Sequence, residues 1–155
     1  MKAEYANIFI RSAVYVFQKE LGITLTRQSL VRKDAPMPGL PVCIVLGITG
    51  SMRGQVVYSV DRSFAQDITH AMIPNKLPSE LRKLVNSAVG EIANIITGQA
   101  SIALAGKDKI IQLTTPAVFT GSGIWFDFLR VPTVSLRMLS EMGVLEINIA
   151  LAEEA

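Results

Sequence analysis

A hydroxyl, a carboxylate and an amide recur at helical spacing in the middle of the chain: Ser87, Glu91 and Asn94. A helix advances about 100° per residue, so with Ser87 at zero Glu91 falls at about 40° and Asn94 at about −20°. Lys83 at about −40° and Gly98 at about 20° extend the same stripe. Such a stripe can grip and orient a polar group, because the acid accepts hydrogen bonds and the amide both donates and accepts. Past Lys83 this face carries Ser87, Gly90, Asn94, Thr97 and Gly98, where a solvated helix face is stocked with Lys, Glu and Arg. Gly90 and Gly98 each cost about 1 kcal/mol relative to alanine inside a helix. That penalty suggests that something approaches the face closely. A close helix crossing within the domain and a late helix break at Gly98 are two plainer explanations, and spacing alone leaves all three open.

The stripe needs a long helix to hold it. Ser79 is a good N-cap, Pro78 lies just ahead, and Glu80 stands in the first turn, where the helix dipole favours an acid. The helical pattern runs to about Ala105 and stops at Gly106. Leu81, Val85, Ala88, Ile92 and Ile96 fall between about 100° and 180° and form a dry face. Upstream, residues 3–21 read as an amphipathic helix ended by Gly22, residues 23–33 as a strand and the proline-rich residues 35–41 as a loop. The apolar run 42–49, the turn 50–54 (GSMRG) and the run 55–60 make a hairpin. Asp61 caps a second helix over 62–72, and prolines break the chain at 74–78. Downstream, residues 110–115, 117–120, 124–130, 133–139 and 144–151 all read as strands. Residues 145–151 (LEINIAL) alternate, which predicts one buried and one wet face. This order predicts an α+β fold: a mainly antiparallel sheet of about six strands, with the long amphipathic helix and shorter helices packed on it.

Bulk properties narrow the function. With 155 residues, half of them hydrophobic and 18% charged, residues 1–155 are expected to form one domain with a sizeable core. The net charge is +2, and Arg27, Arg32, Lys33, Lys107 and Lys109 are scattered, so no nucleic-acid partner is expected. No unbroken apolar run reaches the roughly 18 residues of a bilayer span, so no membrane insertion is expected and the chain reads as cytoplasmic. The lone Cys43 reads as a buried strand thiol. No histidine pair, cysteine cluster or dense carboxylate set is present, so no cofactor of its own is expected. Walker A and nucleophile-elbow motifs are absent. His70 reads as a satisfied surface or core residue. Trp125, Phe126 and Phe128 read as strand core packing and not as a base-stacking platform, and Met138 and Met142 as gap-fillers or turn residues.

Ser87-x3-Glu91-x2-Asn94 followed by Pro116 resembles the signature of the CheC/CheX/FliY family of chemotaxis phosphatases. In that pattern Asp or Ser, Glu and Asn at this spacing precede a proline a little over twenty residues on; here 21 residues separate Asn94 from Pro116. GITGSMRGQVVYSV with its following helix, AVGEIANIITG, TTPAVF and the closing strands fall in the same order, so the resemblance covers nearly the whole chain. The motif occurs once, which makes the chain more similar to the CheX branch than to two-site CheC. The resemblance implies an enzyme that hydrolyses the aspartyl-phosphate of a phosphorylated CheY-like receiver domain. Asn94 would orient a water for in-line attack on phosphorus, and Glu91 would pair with the receiver's active-site lysine. Ser87 would support the docked face, with Lys83, Gly90 and Gly98 around it, and Pro116 would shape the segment beside the helix. Mg2+ would come with the receiver, where it neutralises the phosphoryl group. The resemblance also implies a homodimer joined through the sheets; residues 145–151, if at an edge, would offer unpaired backbone groups to a second copy. The same fold serves flagellar switch proteins that bind partners without the catalytic pair. A non-catalytic receiver- or partner-binding module is therefore the alternative, and the intact Glu91 and Asn94 favour the enzyme.

Overall fold

The computed structural model describes residues 3–34, 36–127 and 132–153. The first helix, α1 (Ala3–Val16), buries Tyr5, Phe9, Ala13 and Val16, spaced three or four apart as an amphipathic helix requires. It runs on through a π-helical turn (Phe17–Leu21) and stops at Gly22, whose φ of 66° is left-handed. Strands β1 (Thr26–Lys33), β2 (Met37–Pro38), β3 (Val42–Gly50) and β4 (Met52–Val60) follow. Next come the helices α2 (Arg62–Met72) and α3 (Pro78–Ala105), then β5 (Ile111–Leu113), β6 (Ala117–Thr120), β7 (Trp125–Phe126), β8 (Thr133–Leu139) and β9 (Val144–Glu153).

Seven strands form the main sheet in the order β1-β8-β9-β4-β3-β5, and β6 shares the outer edge of β3 with β5. Every pairing is antiparallel. The strand period of two sends Ile44, Leu46 and Ile48 of β3, Val56 and Tyr58 of β4, and Ile147 and Ile149 of β9 to one face. There they meet Phe9 of α1, Phe64 of α2, and Ile92 and Ile96 of α3 in one core. On the opposite face Cys43, Val57 and Ala150 pack with Met37, Ile124 and Phe126. The fold is therefore the expected α+β layer, with the helices on one side of an antiparallel sheet.

Several boundaries differ from expectation for physical reasons. Residues 35–41, expected as loop, include β2, which pairs with β7 as a separate two-stranded ribbon. The expected turn 50–54 shortens because Met52 and Arg53 pair with Glu153 and Ala152 of β9, while Thr49 and Gly50 pair with Gln112 and Ile111 of β5. Asp61 caps α2 as predicted, its side chain accepting from the Phe64 amide at 2.7 Å. Ser79 does not cap α3. The N-cap is Leu77, and Pro78 takes the first helical position, where its missing N–H loses no bond. The expected strand 124–130 is seen as Trp125–Phe126; residues 128–130, Phe128 among them, lie outside the described residues. Trp125 is 62% exposed, so it is not the core residue its type suggests.

The largest correction concerns β9. It lies between β8 and β4, and Leu145 to Leu151 are buried on both faces. It has no free edge to offer a second copy. The polar residues that imply a wet face, Glu146 and Asn148, are 8% and 1% exposed. Glu146 pairs with Arg137 at 3.1 Å, whereas neither atom of the Asn148 amide has a partner. The membrane criterion also needs correcting. By length and composition α3 is long and apolar enough to cross a membrane, but half of its most apolar window is buried in the fold.

One polar link fixes α3 against the sheet. Tyr58 of β4, fully buried, shares a 2.7 Å hydrogen bond with the hydroxyl of Thr97, which also lies 2.7 Å from the Ala93 carbonyl. Thr97 can donate to Ala93 while accepting from Tyr58, so both hydroxyls are satisfied. Thr97→Val is expected to leave the Tyr58 hydroxyl buried and unpaired, destabilising the fold by about 1–3 kcal/mol. Tyr58→Phe is expected to cost less, because Thr97 keeps Ala93. Burial pushes the Tyr58 pKa well above its ordinary value, the Thr97 bond offsetting this in part. The folded state thus holds a proton that the unfolded chain releases above about pH 10. Stability from this group is intact below that pH and falls as pH rises beyond it, and urea melts of Tyr58→Phe are expected to lose this component.

Candidate functional site

Twenty-eight residues make α3 the longest element, and its sides are unlike. Val89, Ile92, Ala93, Ile96, Ala100 and Leu104 are buried. Lys83, Ser87 and Glu91 are exposed, and Asn94 and Gly98 are half-buried. The helix thus brings Lys83, Ser87, Glu91, Asn94 and Gly98 onto one accessible arc. It does not bring all the short residues there: Thr97 turns inward to Tyr58, and Gly90 is buried.

Gly90 is covered from within the chain. A Cβ placed on it would lie 3.5 Å from Val118 Cγ2 and 3.9 Å from Pro116 Cβ, ordinary van der Waals contact. The chain's own edge segment therefore lies over Gly90 with room for a methyl group but not for a large side chain. Pro116 sits in the gap between β5 and β6, where no strand pairing is lost by its missing N–H. Thr114 ties that gap to β3: its hydroxyl accepts from the Gly47 amide at 2.8 Å, and its own amide donates to the Gly47 carbonyl at 3.0 Å. A Cβ on Gly47 would meet Thr114 Cγ2 at 2.9 Å, so only glycine permits this contact. Gly98 is different, since a Cβ there would meet nothing within 4 Å.

The stripe is unengaged within the chain: among the described residues, no side-chain hydrogen bond or ion pair involves Ser87, Glu91 or Asn94. The described clefts, of about 200–490 Å³, lie elsewhere: between α2 and α3 beside His70, between α1 and α3, on the outer face of α1, and beside the turn joining β8 and β9. None is lined by Ser87, Glu91 or Asn94. An exposed arc of this length on a helix offers a surface across which a protein could lie. No group of three or more His, Cys, Asp or Glu side chains gathers as a metal site among the described residues. Cys43 is buried as expected, and burial, helped by the negative charge of Glu146, pushes its thiol up to about 11.

The model of the family described as Chemotaxis phosphatase CheX matches residues 42–129, which include the whole stripe and Pro116. The chain belongs to the chemotaxis phosphatase CheX family. A CheY-P phosphatase CheX from Thermotoga maritima is 32% identical over 122 residues, covering 78% of each chain. The solved structure of a chemotaxis protein CheX from Desulfovibrio desulfuricans superposes with a TM-score of 0.85 at 24% identity, covering 96% of this chain and 99% of that one. A CheX-CheY-BeF3-Mg2+ complex from Borrelia burgdorferi supplies a chain that superposes at 0.82 with 20% identity, covering 98% and 100%. The two structural likenesses speak to the CheX fold.

The CheX-family motif does not mark Ile102, which is 72% exposed on the same helix. The signal that reveals it is the absence of any charged residue from 92 to 106. The two glycines should respond oppositely to substitution. Gly98→Ala is expected to raise stability by about 1 kcal/mol, because its site is open and alanine is the better helix former. Gly90→Leu is expected to lower it by about 1–3 kcal/mol by forcing Pro116 and Val118 away. Thermal melts of the two variants check the assignment.

Proposed function

We propose that this chain is a cytoplasmic phosphatase that hydrolyses the aspartyl-phosphate of a CheY-like receiver domain, with the stripe on α3 as its working face. Membership in the CheX family and the curated CheY-P phosphatase relative support the reaction. The observation that carries the site is the accessible, unengaged arc holding Glu91 and Asn94, which suits a protein substrate that brings its own reacting centre. Asn94 accepts a hydrogen bond from a water through Oδ1 and donates to one of its lone pairs through Nδ2, leaving the other lone pair aimed at phosphorus. Water attacks in line, the bond between phosphorus and the aspartate oxygen breaks, and inorganic phosphate leaves with the water's oxygen and both of its protons while the carboxylate is restored. Mg2+ belongs to the receiver, consistent with the CheX-CheY-BeF3-Mg2+ complex of the Borrelia relative. Glu91 pairs with the receiver's active-site lysine, Ser87 and Lys83 border the docked surface, and Gly98 leaves room for it. Pro116 and Gly90 act beneath the face, setting where α3 sits.

Phosphate release from a phosphorylated receiver with Mg2+ present tests this reading. Asn94→Ala is expected to lower kcat about a hundredfold, the scale of losing an oriented reactant. Glu91→Ala is expected to act mainly on KM, costing about 2 kcal/mol or more of docking energy. An active variant lacking Asn94 that matches the wild type would overturn the catalytic assignment of Asn94, and a wild type that does not accelerate phosphate release would leave the chain a non-catalytic binding module of the same fold.

The homodimer is proposed through a different strand from the one first expected. β1 ends the sheet path, pairs only with β8, and leaves Val31 44% exposed. Its outer edge can extend the sheet into a second copy. Light scattering at micromolar concentration is expected to give the dimer mass for the wild type and a monomer mass for Val31→Lys, since an edge lysine opposes strand pairing.

A further inference from the structure

The exposed arc of α3 changes character along its length. Up to Glu91 it is charged: Glu80, Lys83 and Glu91 are all exposed. Residues 92–106 contain no charged residue, although on this arc Ile102 is exposed and Asn94, Gly98 and Ser101 are half-buried. A solvated helix surface is normally stocked with charge. Ile102 is 72% exposed, and isoleucine is a poor choice for such a position because its β-branch restricts χ1 in a helix and its apolar surface is left in water. One exposed isoleucine alone is ordinary; this one lies in a charge-free run and in line with the stripe. Eleven residues separate it from Glu91, about three turns, which puts the two within about 20° around the helix and about 16 Å apart along it. Asn94 lies closer along the axis, about 12 Å, and about 80° around it.

Those distances put Ile102 within the footprint of a body docked on Asn94. A receiver of about 100 residues has a radius of gyration of about 13 Å, and a specific interface buries about 800 Å² on each partner. A body of that size cannot bring a phosphoryl group to Asn94 without also covering the helical turns around it. An uncharged surface there gives up its water at low cost. Resting on the proposed receiver-phosphatase reading, the geometry points to Ile102 as an affinity-determining residue for that reaction: the uncharged turns of α3 beyond Asn94 seat an apolar patch on the receiver beside its phosphorylated aspartate. Asn94 acts on the reacting atoms, whereas Ile102 only holds the partner in place.

Steady-state kinetics with a phosphorylated receiver and Mg2+, run on Ile102→Glu, Ile102→Leu and Asn94→Ala, tests the assignment. Ile102→Glu is expected to raise KM about tenfold or more with kcat within about twofold and an unchanged melting temperature, and Ile102→Leu to restore most of the affinity. A wild-type KM for Ile102→Glu beside an inactive Asn94→Ala overturns this inference alone. A wild-type KM together with loss of the dimer mass in light scattering also overturns it, and assigns the patch to a second copy of the chain. Full activity of Asn94→Ala sinks the role given to Asn94, and a raised KM for Ile102→Glu would then still support the docking surface.

Discussion

The rotation of α3 about its own axis is the constraint on which the rest of the structure depends. A slip of one residue turns the helix by about 100°, enough to carry Glu91 from solvent into the sheet. Burial of Ile92, Ile96 and Leu104 supplies most of the energy, at about 1.5–3 kcal/mol for each fully buried aliphatic side chain. The Tyr58–Thr97 bond contributes only about 0.5–1.5 kcal/mol net. Apolar contacts tolerate small rotations, however, whereas a hydrogen bond of 2.7 Å does not. The edge segment with Pro116 and Val118 packs over the same helix at Gly90. Energy thus comes from the apolar face and orientation from these two specific contacts.

Held in this way, the opposite arc carries Ser87, Glu91 and Asn94 without side-chain partners among the described residues, which suits the proposed role of half an active site. It has an acid, an amide and a hydroxyl, with no set of metal-binding side chains among the described residues. Phosphoryl transfer demands positioning and charge neutralisation more than covalent chemistry. An accessible helical face suits a reaction in which phosphate, metal and lysine all belong to the substrate protein. The long helix serves as a ruler: the polar residues occupy its middle turns and the uncharged surface follows them.

The main elements were legible in the sequence because their signals are local. Asp61 caps α2, Gly22 ends the first helix, and the hydrophobic periodicity places the dry side of α3 where Ile92 and Ile96 are buried. Whether a polar residue on a strand faces water depends instead on which strands flank it. Glu146 and Asn148 suggested a wet face, but β8 and β4 enclose β9, and Arg137 compensates only Glu146. The two-residue strands β2 and β7 carry too little sequence to be recognised. Gly90 and Gly98 look alike on a helical wheel; only the position of Pro116 shows that one serves internal packing while the other faces open space. The spacing of Ser87, Glu91 and Asn94 was readable outright, but their lack of internal partners was not.

The central claim is that Asn94 meets the phosphorylated centre of a receiver. The most direct measurement follows the side-chain amide signals of Asn94 by NMR as a receiver carrying BeF3 and Mg2+ is added. The Asn94 signals are expected to shift and broaden with complex formation, while those of Asn148, buried in the sheet, stay in place. A complex that forms with full affinity and leaves the Asn94 signals unmoved would contradict the claim.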